Sequence, residues 1–144
     1  MSPLRRSAHA VYELTYHVVW CPKYRKALLG PPIQRRLKAL FVEIAEEYDF
    51  EIRESAVERD HVHVMVAAPP RLAPATLVRI LKSLSARELF RAFPWLRQQC
   101  WSGKLWNEGC FVRAVGDRIT TEVIQQYIRY QRHERHGGQL DLFK

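Results

Sequence analysis

The sequence has few of the features that mark secreted, membrane-spanning or thiolate-metal proteins. Its three cysteines are odd in number and widely spaced, which argues against a disulfide framework and a thiolate zinc site. No apolar run approaches the ~20 residues that cross a bilayer. Near the N-terminus, Glu13 and His17 interrupt the stretch where a signal peptide needs an apolar core. We therefore expect a cytoplasmic protein without a membrane partner.

Positive charge is the strongest feature of the composition. Lys and Arg outnumber Asp and Glu by 23 to 15 over 144 residues, giving a net charge of +8. This excess favours a polyanionic partner because each neutralised phosphate releases condensed counterions, although solubility alone would also explain it. The 47% hydrophobic content suffices for a core. With no repeat or linker visible, one domain over residues 1–144 is predicted.

The hydrophobic pattern predicts alternating strands and helices. In chain order, the expected elements are strand 11–20, helix 33–48, strands 50–57 and 62–67, helix 74–90, an irregular segment 93–104, strand 105–115 and a last helix 118–136. The first six helices and strands match the split βαβ arrangement. The predicted fold class is therefore α+β, a ferredoxin-like βαββαβ antiparallel sheet with an added C-terminal helix.

His61 and His63 are candidate metal ligands. They are two residues apart at the start of an expected strand, so their side chains share one face while the valines share the other. Two such imidazoles can hold one cation if both are neutral. A histidine on a sheet is also commonly an ordinary hydrogen-bonded residue, so the pair alone identifies neither a metal nor a reaction.

Tyr127 and Gln131 are four residues apart on the expected last helix and therefore share a face of it. A phenol can attack phosphorus when a cation neutralises the phosphoryl oxygens. A glutamine oxygen combined with two imidazoles suits Mg²⁺ or Mn²⁺. Packing at a helix interface would explain the tyrosine equally well, and Tyr130 is a rival nucleophile on a different face.

A series of short motifs runs along nearly the whole chain. They are VVWCPKYR from Val18, DHVH from Asp60, the pair Pro69–Pro70, Lys82–Ser83 with Ala86–Arg87, Leu105–Trp106, Val115–Gly116, and Tyr127–Ile128 with Gln131. In this order and spacing they resemble the single-tyrosine HUH transposases, often called TnpA, of small bacterial and archaeal insertion sequences. One departure is Cys110, where family members commonly carry an aromatic residue beside a phenylalanine, here Phe111.

The resemblance implies a transposase that cleaves and rejoins single-stranded DNA with a divalent metal, Mg²⁺ or Mn²⁺. Tyr127 would be the nucleophile and would form a 5′-phosphotyrosine. His61, His63 and Gln131 would hold the metal. Because the covalent link conserves the phosphodiester energy, rejoining would need no ATP. The family also implies a homodimer with shared active sites, in which Gly116 would be the joint of the moving last helix.

The resemblance further implies that the protein binds imperfect hairpins at the ends of the element. Exposed tryptophans at Trp95, Trp101 or Trp106 could stack on unpaired bases, although a core position explains them equally well. Basic side chains are candidates for contact with the DNA backbone. These candidates are Arg5, Arg6, Lys23, Arg25, Lys26, Lys82 and Arg87.

Three alternatives stay open on the sequence alone. A ferredoxin-like sheet with basic loops is also typical of noncatalytic RNA-recognition modules, which carry stacking aromatics on central strands. The HUH chemistry could instead serve a replication initiator, a relaxase, or a domesticated endonuclease acting on chromosomal repeats. A hydrolytic metalloenzyme would combine Glu58 or Asp60 with the two histidines, and its products would carry no protein.

Overall fold

A four-stranded antiparallel sheet organises the chain. The computed structural model describes residues 5–6, 11–12, 14–100, 103–115 and 128–129. The strands are β1 (Arg5–Arg6), β2 (Val11–Tyr12), β3 (Thr15–Trp20), β4 (Glu51–Val57), β5 (Val62–Ala67) and β6 (Phe111–Ala114). The helices are α1 (Pro31–Tyr48), α2 (Pro74–Ala92) and α3 (Pro94–Gln99). None of these helices is long and apolar enough to span a membrane.

The main sheet has the strand order β4-β5-β3-β6, and β1 pairs with β2 as a separate ribbon. Since α1 connects β3 to β4 and α2 connects β5 to β6, the central strands β3 and β5 are not consecutive in the chain. This is the predicted ferredoxin-like arrangement, and the predicted fold class is confirmed. Of the expected last helix, the structure describes Ile128 and Arg129, both of which are helical.

The core lies between the sheet and the helices. Val62, Val64 and Val66 of β5 are fully buried there, because alternate side chains of a strand point to the same face. They pack in one cluster with Leu37 of α1 and Leu81 of α2. Burial of each such side chain contributes about 1.5–3 kcal/mol relative to exposure, so this face fixes the register of β5.

The other side of the sheet carries the histidines. We call it the histidine face and define it by His17 and Val19 of β3, His63 and Met65 of β5, and Phe111 of β6. Cross-strand pairing places Val19 opposite both His63 and Phe111, and His17 opposite Met65. The valines of β5 thus hold His63 on the face away from the helices.

The predicted strand 105–115 is wrong over its first half, because β6 begins only at Phe111. The amine of Lys82 on α2 donates to the carbonyls of Asn107 and Gly109 at 2.7 and 2.9 Å. Gly109 also has a positive φ of 86°, which an extended strand does not use. These contacts hold the segment before β6 as a loop over α2.

Other boundaries differ from the expectation in smaller ways. The predicted strand 11–20 is divided into β2 and β3. The segment 93–104 is not wholly irregular, since the short helix α3 begins at Pro94. Proline suits the first position of a helix because the backbone N–H that it lacks would have no intrahelical partner there. The two long helices start at Pro31 and Pro74 for the same reason.

Candidate active site

His63 lies on the histidine face and contacts a histidine of the neighbouring strand. Its Nε2 is 2.8 Å from Nδ1 of His17, and the two ring centroids are 5.0 Å apart. His17 was absent from the sequence-derived candidates. The alternation of residues 11–20 placed it on one strand face, but only the pairing of β3 with β5 brings it to His63.

The surroundings of this histidine pair favour neutral rings. Burial lowers the pKa of His17, and the nearby Glu54 carboxylate partly opposes that shift. The pKa of His63 is lowered first by burial and then by His17 and His61, with Glu54 again acting in the opposite direction. A neutral imidazole keeps a lone pair, so His63 is suited to metal binding near neutral pH.

His61 stands immediately before β5 in a turn at the edge of the sheet. Its Nδ1 is 2.9 Å from Oδ1 of Asp60, and the other Asp60 oxygen is 2.9 Å from Nη2 of Arg25. The Arg25 side chain is only 6% exposed. His61 is close enough to His63 to act on its pKa, so the two predicted ligands are neighbours.

The described residues do not form a complete metal site. Among them, no three His, Cys, Asp or Glu side chains are arranged to hold a metal ion. Two neighbouring imidazoles, one with a lowered pKa, fit a divalent cation that takes its remaining ligands from elsewhere. Gln131, the predicted third ligand, lies outside the described residues, and its role stays a prediction.

A cleft of about 310 Å³ opens beside His63 at the β4 edge. It is lined by Glu54, Ser55, Ala56, His63 and Met65. Glu54 is the only carboxylate in that lining, and its charge partly opposes the lowering of the pKa values of His17 and His63. The cleft therefore gives solvent-side access to His63.

Ile128, the residue after the predicted nucleophile in the sequence, lies on the histidine face. Ile128 packs against Val19, Cys21 and Phe111. Val19 is the cross-strand partner of His63. The nucleophile itself, Tyr127, lies outside the described residues.

Several other predicted residues also fall outside the described part of the chain. They are the rival nucleophile Tyr130, the proposed joint Gly116 and the tryptophan Trp101. Their roles, like that of Tyr127, stay predictions.

Two basic side chains predicted to contact DNA are bound within the protein. Arg25 is buried against Asp60. Lys82 holds the loop before β6, and burial lowers the pKa of its amine, with the nearby Cys110 acting in the opposite direction. Both side chains have structural contacts that explain their presence without DNA.

The other basic candidates are described to different extents. Lys23 and Lys26 are half-buried around the short turn after β3, and Arg87 is exposed on α2. For Arg5 and Arg6 the structure describes only the backbone, in β1. Contact of these five side chains with DNA stays a prediction.

The tryptophans divide between core and surface. Trp106 is buried, donates its indole N–H to Ser85 Oγ at 3.1 Å and meets Trp20 edge to face. The core explanation therefore holds for Trp106. Trp95 is 48% exposed on α3 and keeps the option of stacking on a base.

Two alternatives lose support from this geometry. On the histidine face the central strands carry His17, Val19, His63 and Met65 where an RNA-recognition module would carry stacking aromatics. Both oxygens of Asp60 are already bonded, to His61 and Arg25, which disfavours Asp60 as the third ligand of a hydrolytic metal centre.

Comparison with known proteins points in one direction. The family described as "Transposase IS200 like" matches residues 10–131. The ISDra2 transposase TnpA of Deinococcus radiodurans is 36% identical over 128 residues, which cover 89% of this chain and 91% of that protein. The transposase for insertion sequence element IS200 of Salmonella typhimurium is 29% identical over 136 residues, covering 94% and 88%.

Solved structures agree with the sequence comparison. A Deinococcus radiodurans protein described as a transposase superposes with a TM-score of 0.81 at 37% identity, over 88% of this chain and 97% of that one. A REP-associated tyrosine transposase bound to a REP hairpin shares the fold, with a TM-score of 0.51 at 18% identity over 95% and 75%. The chain belongs to the IS200-like family of DNA transposases.

Proposed function

We propose that this transposase cleaves and rejoins single-stranded DNA, with Tyr127 as the nucleophile. The phenol oxygen bonds to phosphorus and loses its proton, while the bond from phosphorus to the 3′ oxygen breaks. The 3′ oxygen takes up a proton and leaves as a hydroxyl, and the 5′ end remains on the enzyme as a phosphotyrosine. Attack by another strand's 3′-hydroxyl reverses the step, so a small insertion sequence can be excised and inserted.

The contact of Ile128 with the histidine face carries this proposal. Ile128 follows Tyr127 in the chain and packs on Val19, which pairs directly with His63. Directly paired positions in an antiparallel sheet have Cβ atoms roughly 4.5–5.5 Å apart. Ile128, the neighbour of the proposed nucleophile, therefore packs on the strand adjacent to the one that carries His63, a proposed metal ligand.

His61 and His63 would hold Mg²⁺ or Mn²⁺ together with Gln131. When bound, the cation would neutralise the phosphoryl oxygens and stabilise the leaving oxygen. The neighbourhood of the two rings supports this role, as does the lowered pKa of His63, which favours the neutral ring that a metal requires. Glu54 adds a negative charge near the rings of His63 and His17, which favours a cation at the histidine face.

The proposed substrate is single-stranded DNA that forms imperfect hairpins at the element ends. The REP-associated transposase with the same fold is described as bound to a REP hairpin. A cleft of about 380 Å³ beside α2 combines the apolar walls of Phe90 and Trp106 with the cations Arg79 and Lys104. Such a combination suits a nucleic acid, since phosphates bind the cations and bases contact apolar surface.

We also propose that the protein acts as a homodimer with shared active sites, in which Gly116 allows the last helix to move between subunits. The described contact of Ile128 is with its own chain's sheet. In an arrangement in cis Tyr127 serves the histidines of its own chain, and in trans it serves those of the other subunit. Mixed dimers decide between the two arrangements. Recovery of cleavage on mixing Tyr127→Phe with His63→Ala would support sites assembled in trans, and no recovery would contradict them.

The deciding experiment for the chemistry uses labelled single-stranded DNA from the element ends with Mg²⁺ or Mn²⁺. We expect a labelled band that migrates with the protein on a denaturing gel, absent for Tyr127→Phe and present for the matched control Tyr130→Phe. Loss of the adduct in the Tyr130 variant alone would assign the nucleophile to Tyr130. Cleaved DNA without an adduct in any variant would favour the hydrolytic alternative.

A further inference from the structure

The turn before β5 is fixed by backbone contacts on two sides. The amide of Glu58 donates to the carbonyl of His61 at 2.9 Å, which closes the turn. The amide of Leu29, in the segment before α1, donates to the carbonyl of Arg59 at 3.0 Å. The turn that carries His61 is therefore fixed by one hydrogen bond within the turn and one to the segment before α1.

Asp60 uses both carboxylate oxygens within this turn. Oδ1 lies 2.9 Å from Nδ1 of His61, and Oδ2 lies 2.9 Å from Nη2 of Arg25. A carboxylate that accepts from a guanidinium through one oxygen can accept a second hydrogen bond through the other. The contact with His61 is such a hydrogen bond when Nδ1 of the imidazole carries the hydrogen.

Arg25 is directed inward by an unusual backbone. Tyr24 and Arg25 have φ values of 60° and 52°, in the left-handed region that residues other than glycine rarely adopt. The turn is held by the Arg25 amide on the Pro22 carbonyl at 2.8 Å and by the Lys23 amide on the Leu105 carbonyl at 2.9 Å. Such a conformation persists when its surroundings determine it.

We propose that Arg25 and Asp60 are positioning residues for His61, holding its imidazole in the tautomer that has a free lone pair on Nε2. Asp60 keeps the proton on Nδ1 and fixes the ring orientation, and the buried guanidinium of Arg25 keeps the carboxylate in place. Carboxylates that hold ligating histidines in this way raise both the basicity and the order of the ligand. The inference rests on the proposed function for the identity of His61 as a metal ligand.

An arginine at position 25 suits this role better than a lysine would. A guanidinium presents several N–H donors in a fixed plane, so a buried arginine can bind a carboxylate and hold it in one orientation. A lysine amine supplies charge but no fixed plane. Arg25→Lys should therefore keep the ion pair with Asp60 but hold the carboxylate less firmly in one orientation. The variant thus distinguishes the effect of positioning from the effect of charge.

The first test is the tautomer of His61 in the metal-free full-length protein. Nitrogen NMR of histidine-labelled protein at about pH 8, above the ordinary titration range of imidazole, distinguishes a protonated ring nitrogen from an unprotonated one. The His61 signals are assigned by their loss in His61→Gln. We expect hydrogen on Nδ1 and none on Nε2. Hydrogen on Nε2 would overturn the proposal without any variant of Arg25 or Asp60.

The second test compares Mn²⁺ binding, followed by the electron paramagnetic resonance of free Mn²⁺. We expect Asp60→Asn to move hydrogen to Nε2, because the amide can donate to Nδ1, and to weaken Mn²⁺ binding by about 10–100-fold. Arg25→Lys should weaken it less. Wild-type affinity in Asp60→Asn would overturn the proposal.

Matched controls exclude general effects of charge and stability. Asp49→Asn removes the same charge from an exposed pair with Arg71, and Arg59→Gln removes an exposed arginine from the same turn. Both should bind Mn²⁺ as wild type does; weakening in these controls equal to that in Asp60→Asn would overturn the proposal. The tautomer measurement needs neither metal nor DNA, so failure of the Tyr127 mechanism would leave it unaffected. If Asp60→Asn does not fold, the wild-type tautomer decides.

Discussion

The two histidines of the HUH motif have opposite surroundings. His61 gives one ring nitrogen, Nδ1, to Asp60 and lies in a turn held by backbone hydrogen bonds. His63 gives Nε2 to another imidazole, His17, within the sheet. A cation that binds His63 through Nε2 must replace His17, whereas His61 needs no such exchange. The two histidines look equivalent in the sequence, but their hydrogen-bond partners in the structure differ.

The largest expected effect comes from removing either ligand. We expect His61→Ala and His63→Ala each to weaken Mn²⁺ binding by more than the roughly 100-fold upper range of outer-sphere partners, and to abolish cleavage. DNA binding should persist in both variants, because the proposed phosphate contacts are assigned to other side chains. Titration calorimetry with Mn²⁺ and a gel-shift assay check the two expectations. Near-normal Mn²⁺ binding in one variant would show that the histidine replaced in that variant is not a metal ligand.

A smaller effect of opposite sign is expected at His17. In His17→Phe the ring volume remains but the partner of His63 Nε2 is lost, so Mn²⁺ no longer competes with a hydrogen bond. A net hydrogen bond contributes about 0.5–1.5 kcal/mol, which predicts about two- to tenfold tighter Mn²⁺ binding. Met65→Leu, on the same face, is the control and should bind as wild type. Weaker binding in His17→Phe would instead make His17 a ligand.

The fold was largely predictable because hydrophobic spacing is a local signal. Alternating valines in β5 and apolar spacings of three and four in α1 are decided by neighbours in the chain. The loop before β6 was not predictable in this way. It depends on Lys82, which reaches the carbonyl of Asn107 from 25 residues away. It also depends on Cys21 and Lys23, whose backbone groups bond to Asn107 and Leu105 across a similarly long separation in the chain.

The site was predictable to the extent that it is local. The period of a strand is enough to put His61 and His63 together. His17 could not be found because it is 46 residues from His63, and only sheet register joins them. Arg25 was expected to face DNA because it lies in a basic loop. Its inward direction follows from positive φ values at Tyr24 and Arg25, which residue preferences do not predict.

The smallest expected effect is on stability at acid pH, and it also separates the two histidine environments. Because the pKa values of His17 and His63 are lowered in the folded protein, the unfolded chain binds protons more readily as pH falls through about 6.5. The stability of the folded state is therefore full above that pH and decreases on acidification. Urea unfolding in EDTA should give a lower free energy of unfolding at about pH 5.5 than at about pH 7.5.

His17→Phe should reduce this difference between the two pH values, because it removes one half-buried imidazole and also one of the groups that lower the pKa of His63. The Arg25–Asp60–His61 turn is untouched by the substitution. A difference as large in His17→Phe as in wild type would mean that the pair of histidines on the sheet does not cause the loss of stability at acid pH.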